Sequence, residues 1–191
     1  MSQCSNFILE GFTKDLSICD KLISFLNNHP HKRPGYVGSA DGQPIINPEL
    51  KDSTEVTVYD EPVIHEYMEN ISHLIGAYKE KYPACNMFAP WGVTEGINIQ
   101  HYAPGGGFKV WHSERVMAGG AQSNRHLVFM TYLNDVTDEG GTEFMHQNIT
   151  VSARKGKTLI WPVDWTHTHR GIVSPTQEKY VLTGWFSYMQ V

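Results

Sequence analysis

The feature that most constrains the fold is a series of short β-rich segments that begins near residue 93 and runs to the end of the chain. The segments are rich in β-branched and aromatic residues, and stretches with Gly, Pro, Asn or Asp separate most of them. They read GINIQHY, FKVWHSERV, HLVFMTYLN, TEFM, ITVSA, KTLIWP, THTHRGIV and KYVLTGWFSYM. Strands this short and this closely spaced predict a barrel or jelly roll.

The first ninety or so residues follow a different pattern, which predicts helices. Apolar residues recur near helical spacing over residues 13–27 and again over 62–80, where Pro62 can occupy the first turn. We expect both helices to pack on the outside of the barrel, so the fold class is α+β and mainly β. Residues 30–56 are rich in Pro, Gly and Asp, which predicts a long loop that could act as a lid.

Length and composition predict one domain, with helical support over about 1–92 and a jelly-roll core over about 93–191. The chain has 191 residues, of which 40% are hydrophobic, and this is enough to bury a core without disulfides. It has neither a run of about 18 apolar residues nor a secretory leader, so we expect a soluble cytoplasmic protein. A net charge of −5 without a basic run predicts no affinity for nucleic acid.

Two pairs of polar residues suggest a metal site. His112 and Glu114 stand two positions apart, just after the run Gly105–Gly107, and in a strand their side chains would leave the same face. His167 and His169 repeat this spacing further along the chain. Either pair alone is a weak signal, but two histidines and one carboxylate are the ligand set of non-haem Fe(II) oxygenases.

Three segments, in this order, carry a resemblance to a known family. INIQHYAPGGGFKVWHSE, RHLVFMTYLNDVTDEGGTEF and HRGIVSPTQEKYVLTGWF resemble the Fe(II)- and 2-oxoglutarate-dependent dioxygenases, in particular their prolyl 4-hydroxylase-like branch. In that branch a lysine follows the distal histidine by ten positions, and a tryptophan follows that lysine by six. His169, Lys179 and Trp185 have this spacing. The resemblance implies a double-stranded β-helix, a jelly roll of the cupin-like kind.

The resemblance also implies the metal ligands. His112, Glu114 and His169 would bind Fe(II), and the lysine spacing favours His169 over His167. His167 is then interpreted as a pocket residue or as a residue that supports a ligand. Glu114 departs from the family, which usually has aspartate here, and its longer side chain needs a folded rotamer or a retracted backbone to reach the same metal.

Further residues are implied for the cosubstrate. Lys179 would neutralise the far carboxylate of 2-oxoglutarate, because an unpaired buried anion is costly. Tyr102 would donate a hydroxyl to the same carboxylate, and Thr142 and Trp185 are weaker candidates for the pocket. Arg170 could approach substrate or cosubstrate, or lie on the surface.

The function implied is hydroxylation of an unactivated C–H bond, most simply on a peptidyl proline, with Fe(II), 2-oxoglutarate and O2 and with ascorbate as a possible reductant. Succinate and CO2 would be released. A free amino acid or small metabolite is an alternative substrate. A jelly-roll binding protein with a degraded iron site and a cupin with isomerase chemistry are alternatives from other classes.

Overall fold

The computed structural model describes residues 6–38, 44–115 and 121–189. It contains two α-helices, α1 (Ser17–Asn28) and α2 (Pro62–Lys81), and three short 3-10 helices at Pro83–Asn86, Ala121–Asn124 and Trp165–His167. The strands are β1 (Leu9–Phe12), β2 (Arg33–Pro34), β3 (Val37–Gly38), β4 (Pro44–Ile45), β5 (Lys51–Asp52), β6 (Thr54–Val58), β7 (Trp91–Val93), β8 (Ile97–Tyr102), β9 (Gly107–Phe108), β10 (Arg125–Tyr132), β11 (Thr142–Phe144), β12 (Ile149–Val151), β13 (Lys157–Pro162), β14 (His169–Gly171) and β15 (Lys179–Tyr188).

The strands form one large antiparallel sheet and smaller sheets that face it. The large sheet has the order β1-β13-β10-β15-β8-β6-β2, and β7 pairs with the end of β15. The smaller sheets are β12-β11-β14 and β5-β9 near the candidate site, and the hairpin β3-β4. This arrangement confirms the prediction of a jelly roll of the double-stranded β-helix type.

Side-chain alternation in the central strands divides the interior into two cores. Phe129 and Leu182 point to one face of the large sheet, where they join a cluster with the buried sides of α1 and α2. Val128 and Val181, one position away in each strand, belong to a second cluster between the sheets. Because successive side chains of a strand leave opposite faces, each central strand is buried on both sides. The expected place of the helices, outside the jelly roll, is confirmed.

Both helices were predicted from periodicity, and their observed bounds differ little from the prediction. The buried residues of α2 recur at intervals of three and four positions, as a single buried stripe requires. Helix α1 begins at Ser17 rather than at residue 13, because the Asp15 carboxylate accepts hydrogen bonds from the Ser17 backbone N–H and hydroxyl. Across the described ranges, neither helix combines the length and apolar character needed to span a membrane.

Two expectations about local structure were wrong. The strand predicted over 108–116 ends at Phe108, and from there to Arg115, where the described residues stop, only an isolated bridge between His112 and His169 continues the pairing. The N-terminal part is also more than helical support, because β1 pairs with β13 and β6 pairs with β8 in the large sheet. Residues 30–56 contain the short strands β2 to β5 and the start of β6, while 39–43 lie outside the described residues, so the lid remains a prediction.

Candidate metal centre and substrate groove

Three potential metal ligands from two distant segments meet between the sheets. The ligand atoms of His112, Glu114 and His169 all lie within 4.8 Å of one another. Glu114 Oε1 is 3.6 Å from His112 Nε2 and 3.4 Å from His169 Nε2. All three side chains are largely buried. The carboxylate and both imidazoles are therefore directed at a common point.

The orientation of each imidazole is set by its other ring nitrogen. His112 Nδ1 lies 3.0 Å from the Val110 carbonyl oxygen, and His169 Nδ1 lies 2.9 Å from the His167 carbonyl oxygen. A carbonyl can only accept, so Nδ1 carries the proton in both rings and each Nε2 lone pair is directed at the common point. Burial, together with the neighbouring His169, lowers the pKa of His112, which favours the neutral form that a metal ligand needs.

Backbone pairing brings the two segments together although 108–116 is not a continuous strand. His112 and His169 exchange backbone hydrogen bonds, and the Glu114 N–H donates to the Val163 carbonyl. The His112 ring also stacks on Phe108, with 3.7 Å between ring centroids. The polypeptide thus leaves regular strand pairing after β9, but at His112 it is still hydrogen-bonded to β14.

The second carboxylate oxygen of Glu114 is held by other residues. Trp185 Nε1–H donates to Glu114 Oε2 at 3.0 Å, and an Arg125 guanidinium nitrogen lies 3.6 Å from the same oxygen. Arg125 lies over the Trp185 ring at 3.7 Å and is itself paired with Glu95. Burial alone would raise the pKa of the Glu114 carboxyl, but the adjacent imidazoles of His112 and His169 lower it more, so the pKa is well below its ordinary value. The longer side chain is therefore fixed as an ionised group with one oxygen free for a metal.

Lys179 lines a small cavity that also includes these three residues. The cavity extends between the sheets past Tyr132 and Thr142 to the Lys179 ammonium. Lys179 is 4% exposed, and its Nζ donates to the carbonyl oxygens of Gly140 and Ile172 at 3.1 Å each. Burial lowers its pKa to about 8. Within the described ranges no carboxylate pairs with this ammonium, so the cavity presents a buried cation without a counterion.

A second, larger space meets two of these three residues, His112 and Glu114. We call it the groove, and define it by the residues that line it: Tyr36, Val37, Gly38, Leu50, Lys51, Glu55, Asn98, Gln100, Phe108, Val110, Trp111, His112, Ser113, Glu114, Gln122, Arg125 and Trp185. His112 and Glu114 line both the cavity and the groove. A molecule in the groove would therefore face a metal bound at these ligands.

A sequence profile of the 2OG-Fe(II) oxygenase superfamily matches residues 97–187, the part of the chain that carries all of these ligands. Residues 97–187 carry the 2OG-Fe(II) oxygenase domain of this family. Its family implies Fe(II) as the metal and 2-oxoglutarate as the cosubstrate. No curated protein matches the sequence.

The oxygenase is also similar in fold to several solved prolyl hydroxylases. A viral collagen prolyl hydroxylase from Paramecium bursaria Chlorella virus-1 is 15% identical, with a TM-score of 0.71 over 96% of this chain and 97% of that chain. A prolyl-4-hydroxylase from Pseudomonas putida is 13% identical, with a TM-score of 0.69 over 96% and 94%. A Trichoplax adhaerens prolyl hydroxylase, in complex with a peptide fragment of the hypoxia inducible factor oxygen degradation domain, is 12% identical, with a TM-score of 0.71 over 96% and 84%. The fold of the oxygenase is prolyl hydroxylase-like.

The residues present fit both groups that the family implies. Two unprotonated imidazole nitrogens and an ionised carboxylate directed at one point suit a divalent first-row metal such as Fe(II). A buried lysine without a counterion suits the far carboxylate of a dicarboxylate, since each charge compensates the cost of burying the other.

The remaining predicted cosubstrate residues lie in different places. Thr142 lines the cavity and accepts a hydrogen bond from the Tyr132 hydroxyl at 2.6 Å, which leaves its own hydroxyl proton to donate. Tyr102 also lines the cavity, but its hydroxyl donates to Gln100 Oε1 at 2.7 Å. Trp185 lines the groove rather than the cavity, and contacts the carboxylate of Glu114. Its structural position therefore favours support of a ligand over contact with the cosubstrate.

The two weaker candidates are engaged elsewhere. His167 lies in a 3-10 turn instead of a strand, and its Nε2 hydrogen-bonds to the Asn6 carbonyl oxygen, so its ring supports the fold while its carbonyl orients His169. Arg170 pairs with Glu143 at 2.9 Å across β14 and β11 and lies 4.4 Å over the Trp111 ring. Arg170 therefore does not line the groove itself, but it contacts Trp111, which does.

Sequence reasoning missed several residues around the site. Arg125 and Glu95, which hold the outer side of Glu114, are thirty positions apart and belong to no local pattern. Lys51 and Glu55, which also line the groove, form a buried ion pair at 2.6 Å. Their spacing of four positions was the only signal, and it would have suggested an exposed helical pair rather than a buried one between two strands.

Proposed function

We propose that the oxygenase hydroxylates a peptidyl proline, consuming 2-oxoglutarate and O2 and releasing succinate and CO2. The observation that carries this proposal is that His112 and Glu114 line both a small cavity that contains a buried lysine and a larger groove with aromatic side chains. The cavity has the charge expected for a small dicarboxylate, and the groove can receive part of a much larger molecule.

Different residues would bind the metal and the cosubstrate. His112, Glu114 and His169 would hold Fe(II), which when bound supplies the oxidising chemistry with O2 and the cosubstrate. Lys179 would bind the far carboxylate of 2-oxoglutarate, and Thr142 would donate a hydrogen bond within the same cavity. Burial of the cavity excludes water from the cosubstrate, and ascorbate would restore iron that has become oxidised.

The form of the groove supports a peptide as the substrate. Tyr36, Trp111 and Trp185 contribute aromatic surface, which commonly binds proline-rich extended segments. One neighbour in fold is a prolyl hydroxylase in complex with a peptide fragment, and that protein shares the sheet arrangement of this one.

The experiment that tests the proposal measures succinate release with Fe(II), 2-oxoglutarate and O2 across blocked proline-containing peptides and free proline. We expect turnover that depends on the peptide, with one hydroxylated residue for each succinate. His169→Ala is the matched control for background decarboxylation. Stoichiometric coupling to free proline alone would contradict the peptide, and would favour the free amino acid alternative.

A binding measurement tests whether the protein binds Fe(II) and 2-oxoglutarate together. Anaerobic addition of Fe(II) and 2-oxoglutarate should produce a weak visible charge-transfer band, and Lys179→Met should weaken it at limiting 2-oxoglutarate. Absence of the band in the unmodified protein, at saturating cosubstrate, would favour a jelly roll that only binds ligands.

A further inference from the structure

The groove contains a buried carboxylate oxygen with no hydrogen-bond partner. Glu55, in β6, is fully buried and lines the groove. Its Oε2 accepts a hydrogen bond from Lys51 Nζ at 2.6 Å, while Oε1 has no hydrogen-bond partner. The guanidinium of the half-exposed Arg33 lies 4.0 Å from Oε1, beyond hydrogen-bonding distance. Oε1 is therefore an acceptor that the protein itself leaves unsatisfied.

An unsatisfied buried acceptor needs an explanation, because burial removes the water that would otherwise hydrogen-bond to it. A second acceptor in the same groove, the side-chain oxygen of Gln122, is also buried and unpartnered. Two such acceptors in one groove indicate a ligand that brings hydrogen-bond donors.

The charges around Glu55 indicate which kind of donor. Lys51 is 5% exposed and already neutralises the carboxylate, and Arg33 adds a further positive charge at the rim. The local balance is thus neutral to positive, and an ammonium group would be repelled by both cations. A neutral N–H would gain the hydrogen bond without that repulsion.

We propose that Glu55 Oε1 accepts a hydrogen bond from a backbone amide N–H of the substrate, so that the groove recognises a polypeptide rather than a free amino acid. Proline in a peptide has no N–H, so the donor belongs to a neighbouring residue and fixes the register of the chain beside the metal. This inference rests on the proposed function and deepens it.

The test uses a substitution that reverses hydrogen-bond polarity at one atom. Lys51 can only donate, so in Glu55→Gln the amide oxygen must face Lys51 and the NH2 group takes the place of Oε1. An acceptor becomes a donor with almost no change in volume. Glu49→Gln, an exposed change outside the groove, is the matched control.

The probe is acetyl-Ala-Ala-Pro-Ala-Ala-amide, together with four analogues in which one alanine at a time is replaced by lactate, so that one N–H becomes an oxygen. Binding is measured through the fluorescence of Trp111 and Trp185, which line the groove, and needs no turnover. We expect Glu55→Gln to bind the parent peptide at least tenfold more weakly, and one lactate analogue to bind the unmodified protein more weakly by a similar factor.

When the sensitive lactate analogue is bound to Glu55→Gln, the loss of affinity from the analogue and the loss from the substitution should not multiply. Both changes remove the same hydrogen bond. Equal affinity in the unmodified protein and Glu55→Gln, losses that multiply for all four analogues, or binding of free proline but not of the peptide would overturn the inference. The lactate analogues test it in the unmodified protein if Glu55→Gln does not fold, since an unchanged affinity for all four analogues also overturns it. Peptide binding without succinate release would reject the proposed function and leave the inference on Glu55 intact.

Discussion

The cavity and the groove share His112 and Glu114 but are built in opposite ways. The cavity lies among long strands of the large sheet and the facing small sheet, and its one uncompensated charge is Lys179. The groove is bordered partly by short segments, and its charges are compensated in the pairs Lys51–Glu55 and Arg125–Glu95. The difference explains why the cavity suits a small anion, whereas recognition in the groove would rest on shape, aromatic contact and a few hydrogen bonds.

The largest effect should come from removing the carboxylate that the two spaces share. Glu114→Ala should weaken Fe(II) binding by about 1,000-fold, because losing a direct ligand costs more than the roughly 10–100-fold that follows loss of a ligand's supporting partner. Glu114→Asp is the control and should retain iron binding. Titration of Fe(II) under anaerobic conditions measures both, and undiminished affinity in the alanine variant would refute the assignment of Glu114.

The cavity alone should respond to Lys179→Met. We expect 2-oxoglutarate to bind roughly 100-fold more weakly, because the variant leaves a buried carboxylate without its countercharge. Peptide binding in the groove should be unchanged. Calorimetry measures the cosubstrate affinity, and Lys155→Met, on the outer surface, is the matched control. An equal loss of peptide affinity would show that the two spaces are not separate.

The groove alone should respond to Trp111→Ala. Buried tryptophans at binding surfaces often contribute about 2 kcal/mol, so we expect peptide half-saturation to rise about 30-fold. The affinity for 2-oxoglutarate should stay the same. Trp165→Ala is the matched control, because Trp165 is 71% exposed and lies outside the groove. If Trp111→Ala and Trp165→Ala weaken peptide binding equally, the groove is not the peptide site and the contrast with the cavity fails.

The smallest effect should be a pH dependence confined to the cavity. Burial lowers the pKa of Lys179 to about 8 from an ordinary value of 10.5, so in the free protein the ammonium is lost as the pH rises through 8. Affinity for 2-oxoglutarate should be level below pH 8 and fall about tenfold per unit above it, because binding then requires uptake of a proton. Lys179→Met should show no such fall when measured over the same pH range, and a fall in that variant would assign the effect to another group.

Much of the fold follows from local pattern. The mainly apolar runs of β10 and β15 and the three-to-four spacing in α2 are read directly from the chain, and they correspond to strands buried on both sides and to one buried helix stripe. Gly105 and Gly140, in two of the glycine-containing stretches between strands, have φ of +83° and +71°, which suit tight turns. These features are local because a strand or helix places its side chains by its own repeat.

The candidate site was only partly predictable. The resemblance grouped His112, Glu114 and His169, and the three do lie together, but the strand that was expected to carry the first two is absent beyond Phe108. Tertiary pairing with β14 overrides the local β pattern there. Trp185 was expected beside the cosubstrate and instead contacts Glu114, because spacing along the chain does not specify which space a side chain enters.

The sequence by itself determined the jelly roll, the two outer helices and the residue types able to hold iron and a dicarboxylate. Only the tertiary structure decided that Lys179 has no counterion, that Arg125 and Trp185 hold one oxygen of Glu114, and that Glu55 keeps an unpaired oxygen in the groove. The physical reason is that repeats along a chain specify which faces are buried, whereas the pairing of buried charges depends on contacts between residues far apart in sequence.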